Sequence, residues 1–162
     1  MNPSFAGKVA VVTGGAHGIG KAIAEAFQAE GATVEIIDIA PGEHYVGDIG
    51  KKETLESFAQ AVLDRHGRID FLINNALPLM KGISDCTYEE FQYALSVGVT
   101  APFYLSKLFA QHFAPGGVII NISSSRDRMS QPQTESYTAA KGGIAALTHA
   151  PVSYTHLRAH ET

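Results

Sequence analysis

A tyrosine and a lysine four residues apart, Tyr137 and Lys141, form the pair best suited to proton transfer. Residues at i and i+4 of a helix share one face, so the ammonium would lie beside the phenol. A tyrosine hydroxyl ordinarily titrates near pH ~10, and a neighbouring ammonium favours the phenolate form, which brings the titration toward neutral pH. Ser124 precedes this pair by thirteen residues, just after an apolar run. A tyrosine–lysine pair alone is common by chance, and the glycine-rich segment described next gives it weight.

That segment, TGGAHGIG at residues 13–20, lies between a predicted strand and a predicted helix. Glycines let the backbone turn tightly and approach a pyrophosphate, whose charge then sits at a helix N-terminus. The spacing differs from the commoner GxGxxG pattern, and a purely structural tight turn is the alternative interpretation. The strand–turn–helix setting favours a dinucleotide-binding site.

Polar residues follow two further predicted strands. Asp38 ends the second strand, where a carboxylate accepts hydrogen bonds from ribose hydroxyls and repels a 2′-phosphate. No Arg or Lys follows it before Lys51, so the sequence predicts NAD as cofactor in preference to NADP. Asn74 and Asn75 follow the fourth strand, beyond which ligands of open α/β sheets bind. The alternatives are a solvated turn residue for Asp38 and a plain Asx turn for the asparagines.

Strand-like and helix-like patterns alternate along the chain. We predict strands at 8–13, 33–38, near 45–46, at 69–73 and at 118–122. We predict helices at 18–30, around 55–63, from a Thr87–Glu90 capping box toward His112, and from near Glu135 onward. This alternation predicts a doubly wound α/β fold with a parallel sheet.

Composition excludes several classes of function. The chain has 162 residues, which suits one domain, and its formal charge of -4 comes without a basic block, so we do not expect nucleic acid as a partner. No apolar run approaches the roughly 20 residues that a membrane span needs, and no secretory signal is visible. The single cysteine, Cys86, cannot form an internal disulfide, which fits a reducing cytoplasm. No metal site is predicted.

The last twelve residues, Pro151–Thr162 (PVSYTHLRAHET), match the conceptual translation of a transposase-type sequencing adapter. We therefore expect residues 1–150 to be a truncated domain and residues 151–162 to be a non-native tail that does not dock. On this interpretation the sheet is incomplete at its C-terminal edge, and the chain itself is poorly soluble and inactive.

The motifs, taken in order, resemble those of the classical short-chain dehydrogenases/reductases. The matching segments are TGGAHGIG at 13–20, Asp38, Asp48–Ile49, NNA at 74–76, NISS at 121–124 and YTAAK at 137–141. The resemblance covers essentially all of residues 5–150. It implies a Rossmann-type sheet, a homo-oligomer, and nicotinamide-dependent oxidation of an alcohol or reduction of a carbonyl compound.

The resemblance also implies roles for individual residues. Tyr137 would be the catalytic acid/base, Lys141 would bind the nicotinamide ribose and tune Tyr137, and Ser124 would orient the substrate oxygen. The implied cofactor contacts are Gly14, His17, Gly18, Ile19, Gly20, Asp38, Asp48, Ile49, Asn75 and Ala76, together with Tyr137 and Lys141. Asp48 and Ile49 would contact adenine, and Asn75 would lie near a ribose.

Two residues depart from the family's pattern. Leu77 replaces the glycine that usually follows NNA, and Gly98 aligns with a helix asparagine that normally holds a water of the proton relay. A catalytically weak dinucleotide-binding protein on the same fold is therefore the alternative function. The segments that flank the substrate side, 77–83 and 125–134, carry no pattern diagnostic of a substrate.

Overall fold

Six parallel strands form one sheet with helices on both faces. The computed structural model of the chain describes residues 4–129, 131–149 and 158–161. The strands are β1 Val9–Thr13, β2 Thr33–Asp38, β3 Tyr45–Val46, β4 Ile69–Asn74, β5 Phe113–Asn121 and β6 Arg158–Glu161. The helices are α1 Gly18–Ala29, α2 Lys52–His66, α3 Tyr88–Leu95, α4 Ala101–Phe109 and α5 Glu135–His149. The strand order is β3-β2-β1-β4-β5-β6, which confirms the predicted doubly wound, Rossmann-type fold.

Apolar side chains on both faces of the sheet hold the helices in place. Every residue of β1 is buried, as a central parallel strand requires. On one face, α2 and α4 contribute Phe58, Val62, Leu105 and Phe109, none of which is exposed. On the other face, α1 packs Ala24 and neighbouring side chains against β1 and β4. This packing fixes the carboxyl ends of β1, β2, β4 and β5 along one edge, where the predicted site residues follow.

The long helix predicted from Thr87 toward His112 is in fact interrupted. Its capping box is present, since Thr87 accepts from the Glu90 N–H at 3.2 Å and the Glu90 carboxylate accepts from the Thr87 N–H at 3.0 Å. A π-helical turn at Ser96–Thr100 then separates α3 from α4. Pro102 explains the interruption, because proline lacks an N–H and its ring clashes with the carbonyl four residues back, here that of Gly98. Breaks and kinks in helices commonly occur at prolines and at π-helical turns.

The prediction that the tail does not dock is wrong for residues 158–161, which form β6; the non-native origin of the tail stays a prediction. This strand pairs in parallel with β5, with Val118 opposite Arg158 and Asn121 opposite Glu161. An open sheet edge presents unpaired backbone N–H and C=O groups, and any extended segment can satisfy them without matched side chains. The other tail residues, 151–157 and 162, lie outside the described part of the chain.

Candidate functional site

One cavity of about 480 Å³ lies at the carboxyl ends of the strands. All twelve residues predicted as cofactor contacts line it, from the glycine turn and the two aspartates to Tyr137 and Lys141. Sequence reasoning missed other lining residues, among them Tyr93, Val97, Ile122 and Ser123. Such clefts beyond the strand ends are where ligands of open α/β sheets bind.

The glycine turn leaves room for a ligand close to its backbone. Gly14 and Gly18 have φ angles of 66° and 54°, in the left-handed region that favours glycine. A Cβ added at Gly20 would lie 2.0 Å from the carbonyl oxygen of Gly14, so only glycine fits there. α1 starts at Gly18, and its N-cap residue, His17, supplies no side-chain cap. The first-turn N–H groups are thus available to an anion such as a pyrophosphate.

Asn75 braces this turn from β4. Its amide nitrogen donates to the carbonyl oxygens of Thr13 at 3.1 Å and Gly14 at 3.0 Å. The Thr13 hydroxyl in turn accepts from the N–H groups of Asn75 at 3.0 Å and Ala76 at 3.1 Å. Asn75 lines the cavity as predicted, yet its amide nitrogen is committed to the protein rather than presented to a ribose. Thr13 was not predicted as a site residue, yet its hydroxyl joins β1 to the segment after β4.

Two carboxylates stand beside the glycine turn. Asp38 accepts from the N–H of Ala16 at 3.0 Å and from that of Ala40 at 2.9 Å, one bond on each oxygen. Each carboxylate oxygen has two acceptor sites, so one per oxygen remains for a ribose hydroxyl. The geometry is compatible with the predicted role of Asp38.

Asp48 is oriented by Tyr93, a residue of α3. The Tyr93 hydroxyl donates to Asp48 Oδ1 at 3.0 Å, and the N–H of Gly50 donates to the same oxygen at 2.8 Å. Burial, and then the hydrogen bond to the Asp48 anion, raise the pKa of Tyr93 to about 12. The phenol therefore stays protonated and holds the Asp48 carboxylate at the cavity wall.

Tyr137 and Lys141 lie together on α5, as their spacing predicts. Lys141 is buried, with 5% of its surface exposed, and its Nζ donates to the carbonyl oxygen of Ile122 at 2.5 Å. The same Nζ lies 5.7 Å from the centroid of the Tyr137 ring, within range of a cation–π contact. Burial lowers the pKa of Lys141 to about 8. The last carbonyl of the β5 region thus anchors the ammonium beside the phenol.

Ser124 lies just outside this cavity. Its hydroxyl accepts from the N–H of Arg126 at 3.2 Å, at the start of a short 3₁₀ turn, Ser125–Asp127. The preceding residue, Ser123, lines the cavity instead, and its hydroxyl donates to the carbonyl of Lys141 at 3.3 Å. The structure therefore joins Tyr137 and Lys141 with the predicted cofactor residues and places Ser124 one residue beyond the wall.

Gly98 has no room for a side chain. A Cβ there would lie 2.6 Å from the Cβ of Ala140 and 3.2 Å from that of Pro78. A Cβ at Gly143 would lie 2.7 Å from a methyl carbon of Val99. These two glycines let α5 pack closely on the π-helical turn. The volume that an asparagine side chain would need at position 98 is filled by protein.

The residues fit a nicotinamide dinucleotide. The glycine turn meets a helix N-terminus with room for phosphate, Asp38 keeps acceptors for ribose hydroxyls, and Tyr137 with Lys141 lies in the same cavity. Among the described residues, no three His, Cys, Asp or Glu side chains are grouped to hold a metal ion. Within the same residues, no helix has the length and apolar character of a membrane span.

Comparisons with known proteins agree with the observed fold. The family model of the short chain dehydrogenases matches residues 8–153. An uncharacterized oxidoreductase of Thermotoga maritima is 36% identical, over 94% of this chain and 68% of its own length. The structure of an apo SCOR enzyme from Clostridium thermocellum superposes with a TM-score of 0.88 at 41% identity, over 94% of this chain and 69% of the other.

Similar structures include complexes with a cofactor. A metagenomic short-chain oxidoreductase in complex with NADP superposes with a TM-score of 0.89 at 29% identity. The match covers 98% of this chain and 81% of that one.

Proposed function

Because the chain belongs to the short-chain dehydrogenase family of oxidoreductases, we propose that it carries the site of an NAD(H)-dependent enzyme that oxidises an alcohol or reduces a carbonyl compound. The observation that carries this proposal is the shared cavity: Tyr137 and Lys141 line the same cleft as the glycine turn and Asp38. Fold alone would not carry it, because one fold serves many functions.

Proton transfer is the chemistry this chain's own residues would perform. A bound nicotinamide ring supplies the carbon that accepts or gives the hydride. The Tyr137 hydroxyl would protonate the carbonyl oxygen during reduction, and its phenolate would take the alcohol proton during oxidation. Lys141, charged at neutral pH and held by the Ile122 carbonyl, would favour that phenolate and bind the nicotinamide ribose. Ser124, which lies one residue beyond the cavity wall in this structure, would orient the substrate oxygen only if its hydroxyl turned toward the cavity.

We propose NAD(H) as the preferred cofactor, on the support of Asp38. Its free acceptor sites suit the two ribose hydroxyls, and its charge opposes a 2′-phosphate. The NADP complex of the metagenomic relative shows that similar folds also take the phosphorylated cofactor. The choice therefore depends on the residues beside the ribose, not on the fold.

A second candidate is a dinucleotide-binding protein with little turnover. The filled space around Gly98 favours it, since the side chain that usually holds a relay water cannot be accommodated there. Two measurements separate the candidates: titration with NAD(H), and turnover with a broad panel of alcohols and ketones. Saturable binding with turnover supports the enzyme, whereas saturable binding without turnover of any panel member supports the second candidate.

The catalytic unit we propose is a longer protein that contains residues 1–150. We further propose that it works in the cytoplasm as a homo-oligomer, which the single cysteine and the family resemblance support. Light scattering of the full-length protein, run with and without reductant, tests the assembly. A monomer at micromolar concentration would overturn this part of the proposal.

A further inference from the structure

The loop that follows β4 forms one rim of the cavity and carries exposed apolar side chains. We call residues 77–84 the rim loop. Leu77 lines the cavity together with Tyr137 and is 71% exposed, while Met80 and Ile83 are 52% and 87% exposed. Met80 and Ile83 lie outside the cavity wall. Exposed apolar groups are unremarkable when scattered, whereas three in one short loop that begins at the cavity form an apolar surface next to the site.

Ser136, the residue before Tyr137, fastens this loop to α5. Its hydroxyl donates to the carbonyl of Leu79 at 2.8 Å and accepts from the N–H of Lys81 at 2.8 Å. Its own N–H donates to the carbonyl of Lys81 at 3.1 Å. Because Ser136 is fully buried, breaking these three hydrogen bonds would leave buried polar groups without partners. The rim loop is therefore held at a fixed place relative to Tyr137.

Gln133 makes a second attachment. Its backbone has a φ of 60°, a conformation that costs energy outside glycine, and its side chain donates to Ser84 Oγ at 2.6 Å. Gly82 packs directly under it, since a Cβ at Gly82 would lie 2.4 Å from the Cα of Gln133. Strain of this kind persists only where the surroundings fix it, which again indicates a braced loop.

The polar side chains of the rim loop already have partners. Lys81 Nζ pairs with Glu90 Oε1 at 2.7 Å, and this contact raises the pKa of Lys81 and lowers that of Glu90. Ser84 is bound to Gln133, as described. The side chains that remain for a ligand are those of Leu77, Met80 and Ile83.

We propose that the rim loop is the specificity-determining wall of the substrate site, and that it selects an alcohol or carbonyl compound whose non-reacting end is apolar. This inference rests on the proposed function. A polyol would meet apolar side chains on this wall and lose hydrogen bonds to water without replacement. An alkyl or aryl group would instead bury its surface against Leu77 at the cavity wall, and a longer group would extend along the loop to Met80.

The test compares matched substrates with the full-length enzyme. For secondary alkanols from butanol to octanol, we expect kcat/KM to rise about three- to fourfold per methylene, the value of burying each group. Mannitol, with as many carbons as hexanol, should be at least about a hundredfold poorer than the matching hexanol. A flat alkanol series, or a preference for the polyol, would overturn the inference and leave the proposed function standing. Turnover of no alcohol or ketone would instead refute the proposed function.

A matched pair of variants locates the effect. Met80→Ser should reduce the rise of kcat/KM with alkanol length. Val46→Ser changes a similarly exposed apolar residue of β3 and should leave that rise unchanged. If Met80→Ser lowers the melting temperature and leaves the slope as in wild type, the rim loop is covered by protein and the inference is wrong.

A final comparison uses a substrate with a charged end. Arg126, in the 3₁₀ turn after β5, has a buried Nη1 without a hydrogen-bond partner among the described residues, although it does not line the cavity. An alkanol that ends in a carboxylate should be at least about tenfold poorer than its uncharged counterpart. A preference for the carboxylate would overturn the apolar assignment.

Discussion

In the function we propose, a single residue beside the ribose, Asp38, determines which cofactor the site prefers. Replacing it by alanine removes acceptors for the ribose hydroxyls and a charge that repels phosphate. We expect Asp38→Ala in the full-length enzyme to reduce the ratio of kcat/KM for NAD to that for NADP by at least about tenfold. Steady-state kinetics with both cofactors measure the ratio. A wild-type enzyme that already prefers NADP would refute the assignment.

Lys141 gives a pH dependence with a defined sign. Its folded pKa of about 8 lies below the ordinary value of 10.5, so the folded state holds this proton more weakly than the unfolded state does. Wild-type stability should therefore rise between pH 8 and 10.5 relative to Lys141→Met, which has no charge to bury.

Melting temperatures of both proteins from pH 7 to pH 10 check this expectation. The advantage of Lys141→Met should be largest at pH 7 and should shrink as the pH rises through 8. The variant also loses the hydrogen bond to Ile122, which shifts the difference in melting temperature by a nearly constant amount and leaves its change with pH unaffected. A constant difference across this range would mean that Lys141 titrates as an exposed lysine does.

Sequence reasoning found cavity residues that stand in a short local pattern. It missed residues whose hydrogen-bond partners are far away along the chain. That Asp38 and Tyr137 line the cavity was predictable, because Asp38 ends a strand and Tyr137 stands four residues before Lys141. Thr13 was not, since its hydroxyl acts on backbone groups 62 and 63 residues away. Tyr93 was missed for the same reason, because Asp48 lies 45 residues earlier in the chain.

At the scale of elements, periodicity predicted the strands and helices but not the break in the longest helix. The signal was present in Pro102, whose ring conflicts with the carbonyl of Gly98. What the sequence could not show is that α5 packs against this break through Gly98 and Gly143. That contact depends on two elements meeting in space.

Gly98 therefore serves packing, and a side chain there should destabilise the protein. For Gly98→Ala we expect a loss of about 1–3 kcal/mol in the free energy of unfolding, since the new Cβ would press on Ala140. Gly142→Ala is the control, because a Cβ at that helical position meets nothing within 4 Å and should be neutral or stabilising.

Denaturant melts of the two variants and of wild type give the comparison. Adding Ala140→Gly to Gly98→Ala should recover part of the loss. Equal stability of Gly98→Ala and wild type would show that α5 can move away from the π-helical turn without loss of stability. An asparagine at position 98 would carry the same clash, and so it is not a clean probe of a proton relay.

At the scale of the whole molecule, the sheet edge is the least expected feature. The side chains of Val118 and Ile120 on β5 are only partly buried, and β6 pairs with β5 through its backbone as the outermost strand. Deleting residues 151–162 should expose the β5 edge and increase aggregation, which light scattering during a slow thermal ramp would detect. Unchanged scattering would mean that β6 does not protect this edge.

We propose that Tyr137 transfers the proton at a cofactor site along the carboxyl ends of β1, β2, β4 and β5. The most direct measurement is turnover and NADH binding by full-length wild type and Tyr137→Phe, side by side. We predict that kcat falls by about 10²–10⁴-fold, the usual value of a proton-transfer group. The Kd for NADH should stay within about twofold, because the ring still packs and only the hydroxyl is lost. A Tyr137→Phe enzyme that turns over near the wild-type rate would show that Tyr137 does not transfer the proton.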